Sequence, residues 1–374
     1  MNSNRVCSSC FSDPDLRDWV RENGGPRGCG YCGKHDSPTA DLEDVVTRIE
    51  SCIERYYGRA VDQMSFCSAE GGYLGKHWDS WDMLDKVGLA LPRDSDGRLH
   101  GAIVRKMRDE PWCAFDVGAL DLDDALWTSW ERFCNTIKHQ RRFFFHASGR
   151  DSQDSLTPAS LLNRIAIDIE NLGLVVDLSA GLGLWRARPD LAKRRRVSAS
   201  DFGPPPIEFA LQSNRMNAAG IPMLYLASSA TTAVKETRVE QAKVGLWRSQ
   251  RSIRVLDLRR LPPVPTVFSD EPRALAHTIR FLHNFSDDIM KPVARNNSVH
   301  IEYLPSQVVT EFMRDYKFSE GPLDGVAYGS TVHPRGWNIA FFLGPVELGL
   351  TKPEWGTAPP QTFIFEKSTW ATSS

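Results

Sequence analysis

The sequence predicts an α+β fold, with a small cysteine module and a helical segment ahead of a mixed C-terminal domain. The 374 residues exceed one ordinary hydrophobic core, so we expect two domains and a small third module. In the second half, apolar runs of strand length stand between amphipathic helical segments, without the regular spacing of βαβ units. In the first half, helical periodicity follows a cysteine-rich stretch.

The composition is that of a globular protein, with 41% hydrophobic and 25% charged residues. With a net charge of −2, the chain as a whole has no excess of positive charge to bind nucleic acid. The N-terminus lacks the apolar region of a secretion signal, and no apolar run is long enough to cross a membrane. The sequence therefore predicts a cytoplasmic chain whose thiols stay reduced.

Residues 1–40 contain two C-x2-C pairs separated by 18 residues, Cys7-Ser-Ser-Cys10 and Cys29-Gly-Tyr-Cys32. Each pair can cover one side of a tetrahedral ion, and the intervening length is typical of structural Zn²⁺ sites. The alternative is a redox dithiol beside unrelated thiols. Four cysteine ligands leave no open position, so the predicted Zn²⁺ is structural.

Residues 41–150 are predicted to form a helical accessory domain. Apolar residues recur at helical spacing over 41–57 and 121–138. Residues 143–155 are interpreted as a linker into the next domain.

Residues 151–350 are predicted to form the main domain. Its first helix has a clear start, with Thr157 as the cap and Pro158 at the first helical position, and it ends at Gly173. The pattern then predicts strands at 183–187, 222–227, 253–258, 325–327 and 338–343, and helices at 229–243, 272–290 and 305–315. Residues 351–374 are rich in Pro, Thr and Ser and are expected to be a peripheral tail.

The segment from Arg215 to Glu236 places an arginine, an aromatic and a carboxylate along one strand–loop–helix unit. Arg215 precedes a turn at 219–222, Tyr225 lies on the following strand, and Glu236 lies about two turns into a helix. Together with Arg186, Arg215 could hold a pyrophosphate through two guanidinium groups. The alternatives are an outward-pointing arginine, a core tyrosine and a solvated glutamate.

Two polar residues stand at predicted strand ends downstream. Ser330 follows one strand, and Asn338 begins the last one. A serine there is often only a turn former, but it could also bind a ribose or a carboxamide.

Two further features have competing interpretations. Lys193-Arg194-Arg195-Arg196 is a basic run without interleaved aromatics, which favours a solvated loop. Arg132 and His139 have the Arg-x6-His spacing of some helical RNases, but the neighbouring Lys138, Arg141 and Arg142 favour a solvated helix end.

The ordered motifs carry a resemblance to a known family. Residues 184–344 resemble the RES domain through Leu-Trp-Arg186, Arg215-x-Asn-x-x-Gly-x-Pro-x-Leu-Tyr225-x-Ala, Glu236, Tyr-Leu-Pro-Ser-Gln307, Tyr-Gly-Ser330 and Gly-Trp-Asn338. The stretch Cys7-x2-Cys10-Phe…Cys29-x-Tyr-Cys32-Gly is similar to the HEPN/RES N-terminal accessory domain.

The resemblance implies a fold similar to ADP-ribosyltransferases, a split β-sandwich with flanking helices. It implies an NAD⁺ glycohydrolase or phosphorylase that cleaves the nicotinamide–ribose bond, acting as a toxin in a toxin–antitoxin or anti-phage system. Arg186, Glu236 and Ser330 would be catalytic. The substrate-binding set would be Arg215, Tyr225 and Asn338.

Two other functions remain open at this point. One is transfer of ADP-ribose to a macromolecule. The other is an interaction module or RNase in the N-terminal domain, through Arg132 and His139, beside a degenerate RES pocket. The expected partners are NAD⁺ and an antitoxin or trigger protein that binds the N-terminal domain, and the oligomeric state is left open.

Overall fold

The structure is a computed structural model, and it describes residues 4–69, 71–115, 120–145, 150–152, 154–191, 193–194, 196–292, 299–353, 355–357 and 359–373. Arg195 of the basic run, and parts of the expected linker and tail, lie outside these residues. The chain forms two compact units, Met1–Leu122 with Pro263–Arg280, and Asp123–Pro262 with Phe281–Ser374.

Most of the regular secondary structure described in the first unit is helical, and the unit also contains short strands. Its helices are α1 (Pro14–Asn23), α2 (Leu42–Ile53), α3 (Ala60–Gln63), α4 (Ser80–Lys86) and α5 (Arg98–Lys106). Its strands are β1 (Arg5–Cys7), β2 (Thr39–Asp41), β3 (Tyr57–Arg59), β4 (Phe66–Cys67), β5 (Gly72–Tyr73), β6 (His77–Trp78) and β7 (Trp112–Ala114). Strands of two or three residues are too short to show a period-2 pattern, which is why the sequence did not reveal them.

The segment 263–280 belongs to the first unit through its packing. Phe268 is 1% exposed and joins the apolar core formed by α2 and its neighbours. Arg48 on α2 donates a 3.0 Å hydrogen bond to the carbonyl of Phe268. A stretch distant in sequence therefore completes the core of the N-terminal unit.

The second unit is a mixed α and β structure. Its helices are α6 (Leu122–Asn135), α7 (Pro158–Asn171), α8 (Ala199–Phe202), α9 (Ala230–Thr237), α10 (Arg273–Met290), α11 (Val299–Glu302) and α12 (Leu304–Asp315), with α6 and α10 crossing the unit boundary. Its strands are β8 (Val175–Leu178), β9 (Gly183–Arg188), β10 (Leu224–Ala227), β11 (Gln241–Ser249), β12 (Ile253–Asp257), β13 (Gly325–Gly329), β14 (Trp337–Phe341) and β15 (Phe363–Thr372).

In the described part of this unit, eight strands form one sheet in the order β15-β11-β9-β10-β14-β13-β12-β8. Every pairing is antiparallel except the parallel pair β12–β13. Strands β9 and β10 meet through a single residue pair, Ala227 opposite Trp185. The sheet therefore consists of two halves, β15-β11-β9 and β10-β14-β13-β12-β8, that are joined through this one residue pair.

The helices and strands predicted for this unit are present, with one helix shorter than predicted, whereas β8, β11, β15, α8 and α11 were not predicted. Thr157 caps α7 by accepting a 3.3 Å hydrogen bond from the Ser160 amide, as predicted. The helix predicted over 229–243 ends at Thr237, and β11 follows it. The expected peripheral tail contains β15, an edge strand that pairs along the length of β11 and buries Phe363 completely.

Candidate active site

A cavity of about 330 Å³ opens beside the junction of the two half-sheets. Five of the six residues expected to act on the substrate line it: Arg186, Arg215, Tyr225, Glu236 and Asn338. The sixth, Ser330, is bonded to one of these five. The volume lies at the lower end of the range of roughly 300–1,000 Å³ that is usual for small-molecule sites.

The carboxylate of Glu236 lies on the last turn of α9, a helix capped by the Ser229 hydroxyl. Its Oε1 accepts two hydrogen bonds, from Ser330 Oγ at 2.7 Å and from Asn338 Nδ2 at 2.6 Å. No described residue donates to its Oε2. The side chain is therefore held through one oxygen, and its other oxygen is available to a ligand.

The loop that carries Ser330 is tightly fixed. Ser330 Oγ accepts hydrogen bonds from the amides of Val332 at 3.3 Å and His333 at 3.1 Å. The Ser330 amide donates to the carbonyl of Gly336, where a Cβ atom would lie 2.5 Å from Thr232 Oγ1. With its acceptor capacity taken by two amides, the hydroxyl directs its proton to Glu236.

Arg186 on β9 has a buried guanidinium nitrogen, Nη1, that has no hydrogen-bond partner among the described residues. Burial, and secondly the charge of Arg188, lower the pKa of Arg186 well below its usual value, against a smaller opposing effect of Tyr225. Since arginine stays protonated in proteins, this shift reflects an uncompensated charge rather than a neutral side chain. A cation of this kind facing a cavity is suited to an anionic ligand.

The loop around Arg215 is anchored by the first turn of α12. Ser306 Oγ donates to the carbonyl of Arg215 at 2.6 Å, and Gln307 Nε2 donates to the carbonyls of Asn214 and Asn217 at 2.8 and 3.0 Å. Both donors are almost fully buried. The Tyr303-to-Gln307 motif thus positions the backbone beneath Arg215.

Tyr225 on β10 is anchored by its hydroxyl, which donates to Asn217 Oδ1 at 2.7 Å and accepts from the Met216 amide at 3.3 Å. Burial, more than any other effect, raises the pKa of Tyr225 above its usual value. Burial likewise raises the pKa of Tyr328, which also lines the cavity. Both phenols are therefore neutral. The two hydrogen bonds of the Tyr225 hydroxyl also fix the position of its ring in the cavity wall.

The structure adds lining residues that the sequence did not single out, namely Arg238, Tyr303 and Tyr328. Arg238 follows Glu236 by two positions, so its closeness to the site could have been inferred from the helix end. The described lining residues comprise three arginines and one carboxylate, so the cavity is positively charged. None of the three guanidinium groups has an ion pair with a described residue.

The four cysteines of the N-terminal module converge, as predicted. Their sulfur atoms all lie within 4.8 Å of one another, with Cys7 Sγ 3.7 Å from Cys10 Sγ and 3.4 Å from Cys32 Sγ, and Cys10 Sγ 3.7 Å from Cys29 Sγ. A tetrahedral ion with metal–sulfur bonds of about 2.3 Å requires sulfurs about 3.8 Å apart. The cluster therefore has the size and ligand chemistry to hold a metal ion.

The other predicted features lie apart from the cavity. Arg132 donates to Ser155 Oγ at 2.7 Å, and α6 gives way after Asn135 to a π-helical turn at Thr136–Gln140 that carries an exposed His139. The change from i,i+4 to i,i+5 hydrogen bonding removes the simple seven-residue alignment of Arg132 and His139. Arg194 of the basic run pairs with Asp201 at 2.8 Å.

Two family models match the chain. The model described as RES domain matches residues 183–363, which contain every residue of the cavity discussed above. The chain is a RES-domain protein. The model described as HEPN/RES N-terminal domain 1 matches residues 22–151 of this RES-domain protein, so the predicted order of the two family domains is confirmed. Searches of curated proteins and of solved structures give no significant match.

The family assignment indicates, in general terms, an enzyme that acts on NAD⁺. The N-terminal match includes Cys29 and Cys32 but begins after Cys7 and Cys10, so half of the cysteine cluster lies outside it. Among the described residues, no helix has the length and apolar character needed to cross a membrane.

Proposed function

We propose that this RES-domain protein degrades NAD⁺ by cleaving its nicotinamide–ribose bond, with water or phosphate as the acceptor. The observation that carries the proposal is the carboxylate of Glu236, which is held through Oε1 and receives no hydrogen bond from a described residue at Oε2, in a cavity whose arginines have no ion pair within the described part of the chain. This combination suits a dinucleotide that must be held by its phosphates and cleaved at a sugar.

In this proposal, Arg186 and Arg215 bind the pyrophosphate. The guanidinium groups have no ion pair with a described residue, so phosphate oxygens would supply the missing acceptors. The ring of Tyr225 would pack on the nicotinamide, because a fixed aromatic face suits a planar heterocycle. Asn338 would bind indirectly, by orienting Glu236.

The chemical step requires stabilisation of positive charge on the ribose. As the C1–N bond breaks, its electron pair leaves with nicotinamide, and the ribose gains oxocarbenium character. Glu236 Oε2 would accept a hydrogen bond from the ribose hydroxyl, and the carboxylate charge would stabilise the cation. Ser330 would keep the carboxylate aimed at the sugar.

We also propose an ADP-ribosyltransferase-like fold for the second unit. The supporting observation is the division of the sheet into two halves that meet only through Ala227 and Trp185, with the cavity lined from both halves. Comparison of an experimentally determined structure with members of that fold would test this. An arrangement of strands around the cavity unlike theirs would argue against it.

For the N-terminal unit, we propose a structural Zn²⁺ held by Cys7, Cys10, Cys29 and Cys32. The ion would stabilise the fold of this short segment and would take no part in catalysis.

We further propose that the protein is a toxin of a toxin–antitoxin or anti-phage system, with the N-terminal domain binding the antitoxin or trigger. The support is that depletion of NAD⁺ is harmful to a cell.

The activity is tested by incubating the purified protein with NAD⁺, with and without phosphate, and measuring nicotinamide by mass spectrometry. Nicotinamide release that is lost in Glu236→Gln supports the proposal, because the substitution keeps shape and removes charge. Equal turnover by this variant contradicts it. Transfer of label from NAD⁺ to a macromolecule would instead indicate an ADP-ribosyltransferase. Toxicity in cells that survives Glu236→Gln but is lost in His139→Ala would indicate an RNase.

A further inference from the structure

Arg238 is the one residue other than glycine with a positive φ angle in the described part of the chain. It follows Glu236 by two positions and caps α9 with φ 59° and ψ 30°. This left-handed conformation is unfavourable for a side chain with a Cβ atom, and glycine or asparagine is the usual residue at such a helix end. Strained backbone of this kind is concentrated at functional sites.

Arg238 is exposed and is one of the residues that line the same cavity as Glu236. Its guanidinium has neither an ion pair nor a hydrogen bond with a described residue, and its backbone amide donates to the Lys235 carbonyl. A cation at a helix C-terminus is favoured by the helix dipole, which explains a positive charge there. It does not explain why that position is an arginine in a strained conformation rather than glycine.

The charges of the cavity indicate what Arg238 binds. Arg186 and Arg215 match the two negative charges of a pyrophosphate, and Glu236 matches the cation that forms at the ribose. Arg238 is then a third arginine of the cavity that lacks an ion pair with a described residue, and it lines the same cavity as the Glu236 carboxylate. A ligand that fills the site would therefore carry one more phosphate than the pyrophosphate supplies.

We propose that Arg238 binds this third phosphate group, which makes it a specificity-determining residue for the reaction proposed above. The group has two possible sources, free phosphate and the 2′-phosphate of NADP⁺. With free phosphate, a phosphate oxygen bonds to C1 of the ribose as the C1–N bond breaks. The bonding pair stays on nitrogen, and the products are nicotinamide and ADP-ribose 1-phosphate.

The test compares the wild type with Arg238→Asn, which keeps a residue suited to the left-handed conformation and removes the charge. Lys235→Asn is the matched control, because it removes a neighbouring charge of the same helix end from a side chain that does not line the cavity. Nicotinamide release is measured with NAD⁺ alone, with NAD⁺ and phosphate, and with NADP⁺ alone.

Two ratios decide the outcome, each taken relative to the rate with NAD⁺ alone. A loss of about tenfold or more in the phosphate ratio, in Arg238→Asn only, assigns the site to free phosphate. The same loss in the NADP⁺ ratio assigns it to the 2′-phosphate. Unchanged ratios, or an equal loss in Lys235→Asn, overturn the proposal.

A binding measurement separates this inference from the proposed function. Trp185 lines the cavity, so its fluorescence can report titration with inorganic phosphate, the probe for the shared chemistry. If the wild type releases no nicotinamide, the proposed function fails, yet phosphate binding that weakens about tenfold in Arg238→Asn still supports the phosphate site. Equal binding by both proteins, or none by either, overturns it.

Discussion

The hydroxyl of Ser330 donates a 2.7 Å hydrogen bond to Oε1 of Glu236. The two residues lie 94 positions apart in the sequence, one on a loop after β13 and the other at the end of α9. Asn338 donates to the same oxygen at 2.6 Å. The geometry of the carboxylate is thus decided by two strand-end residues and not by α9 alone.

Loss of this support should slow the reaction without preventing folding. Ser330→Ala should lower kcat for nicotinamide release by about 10- to 100-fold, because the carboxylate loses orientation while its charge remains. Asn338→Asp should have a larger effect, because it places a second carboxylate beside Glu236. Steady-state kinetics measure both, and a wild-type kcat in Ser330→Ala would show that Asn338 suffices.

Replacement of Arg186 by an apolar residue should raise the stability of the protein and weaken the binding of NAD⁺. Arg186→Met replaces a partly buried cation, whose Nη1 has no described hydrogen-bond partner, with an apolar chain, so the free energy of unfolding should rise by roughly 1 kcal/mol. Binding of NAD⁺ should weaken by at least about tenfold, because one charge-assisted contact to phosphate is lost. Chemical denaturation and calorimetric titration measure the two effects. A variant that binds normally would exclude Arg186 from the phosphate site.

The hydroxyl of Tyr225 should be needed to hold the Arg215 loop. Tyr225→Phe leaves the buried Asn217 Oδ1 without its 2.7 Å partner, which should cost about 1–2 kcal/mol of stability. The ring remains, so KM should rise more than kcat falls. Gln307→Ala, which releases the same loop from α12, is the matched comparison, and opposite kinetic effects in the two variants would contradict a shared role.

Removal of metal should destabilise the N-terminal unit. The purified protein should contain about one Zn²⁺ per chain, and Cys10→Ser should lose it because three sulfurs hold the ion poorly. Metal analysis and thermal unfolding with and without a chelator measure this. Cys67→Ser, which changes a cysteine outside the cluster, is the control and should keep the metal. A metal-free wild type of full stability would contradict the prediction.

Much of the fold could be predicted from the sequence because the local patterns of caps and apolar residues were strong. The cap at Thr157 and the apolar stripe that follows it specify α7, and the bounds of α10 and α12 were predicted within one residue. Strand β11 was missed because its first residues were assigned to the preceding helix, although Ala242, Val244 and Leu246 alternate with polar residues and glycine. The strand β15 was missed because its pattern is mostly exposed, which is usual for an edge strand.

The sequence by itself determined the residue types of the site and their order along the chain, because these reside in short motifs around Arg186, Arg215 and Glu236. Only the tertiary structure decided that Ser330 and Asn338 meet on one oxygen, and that 263–280 completes the N-terminal core. It also decided that Arg238 lies in a left-handed conformation beside the cavity. Such relationships depend on strand register and long-range packing, which join residues that no local pattern relates.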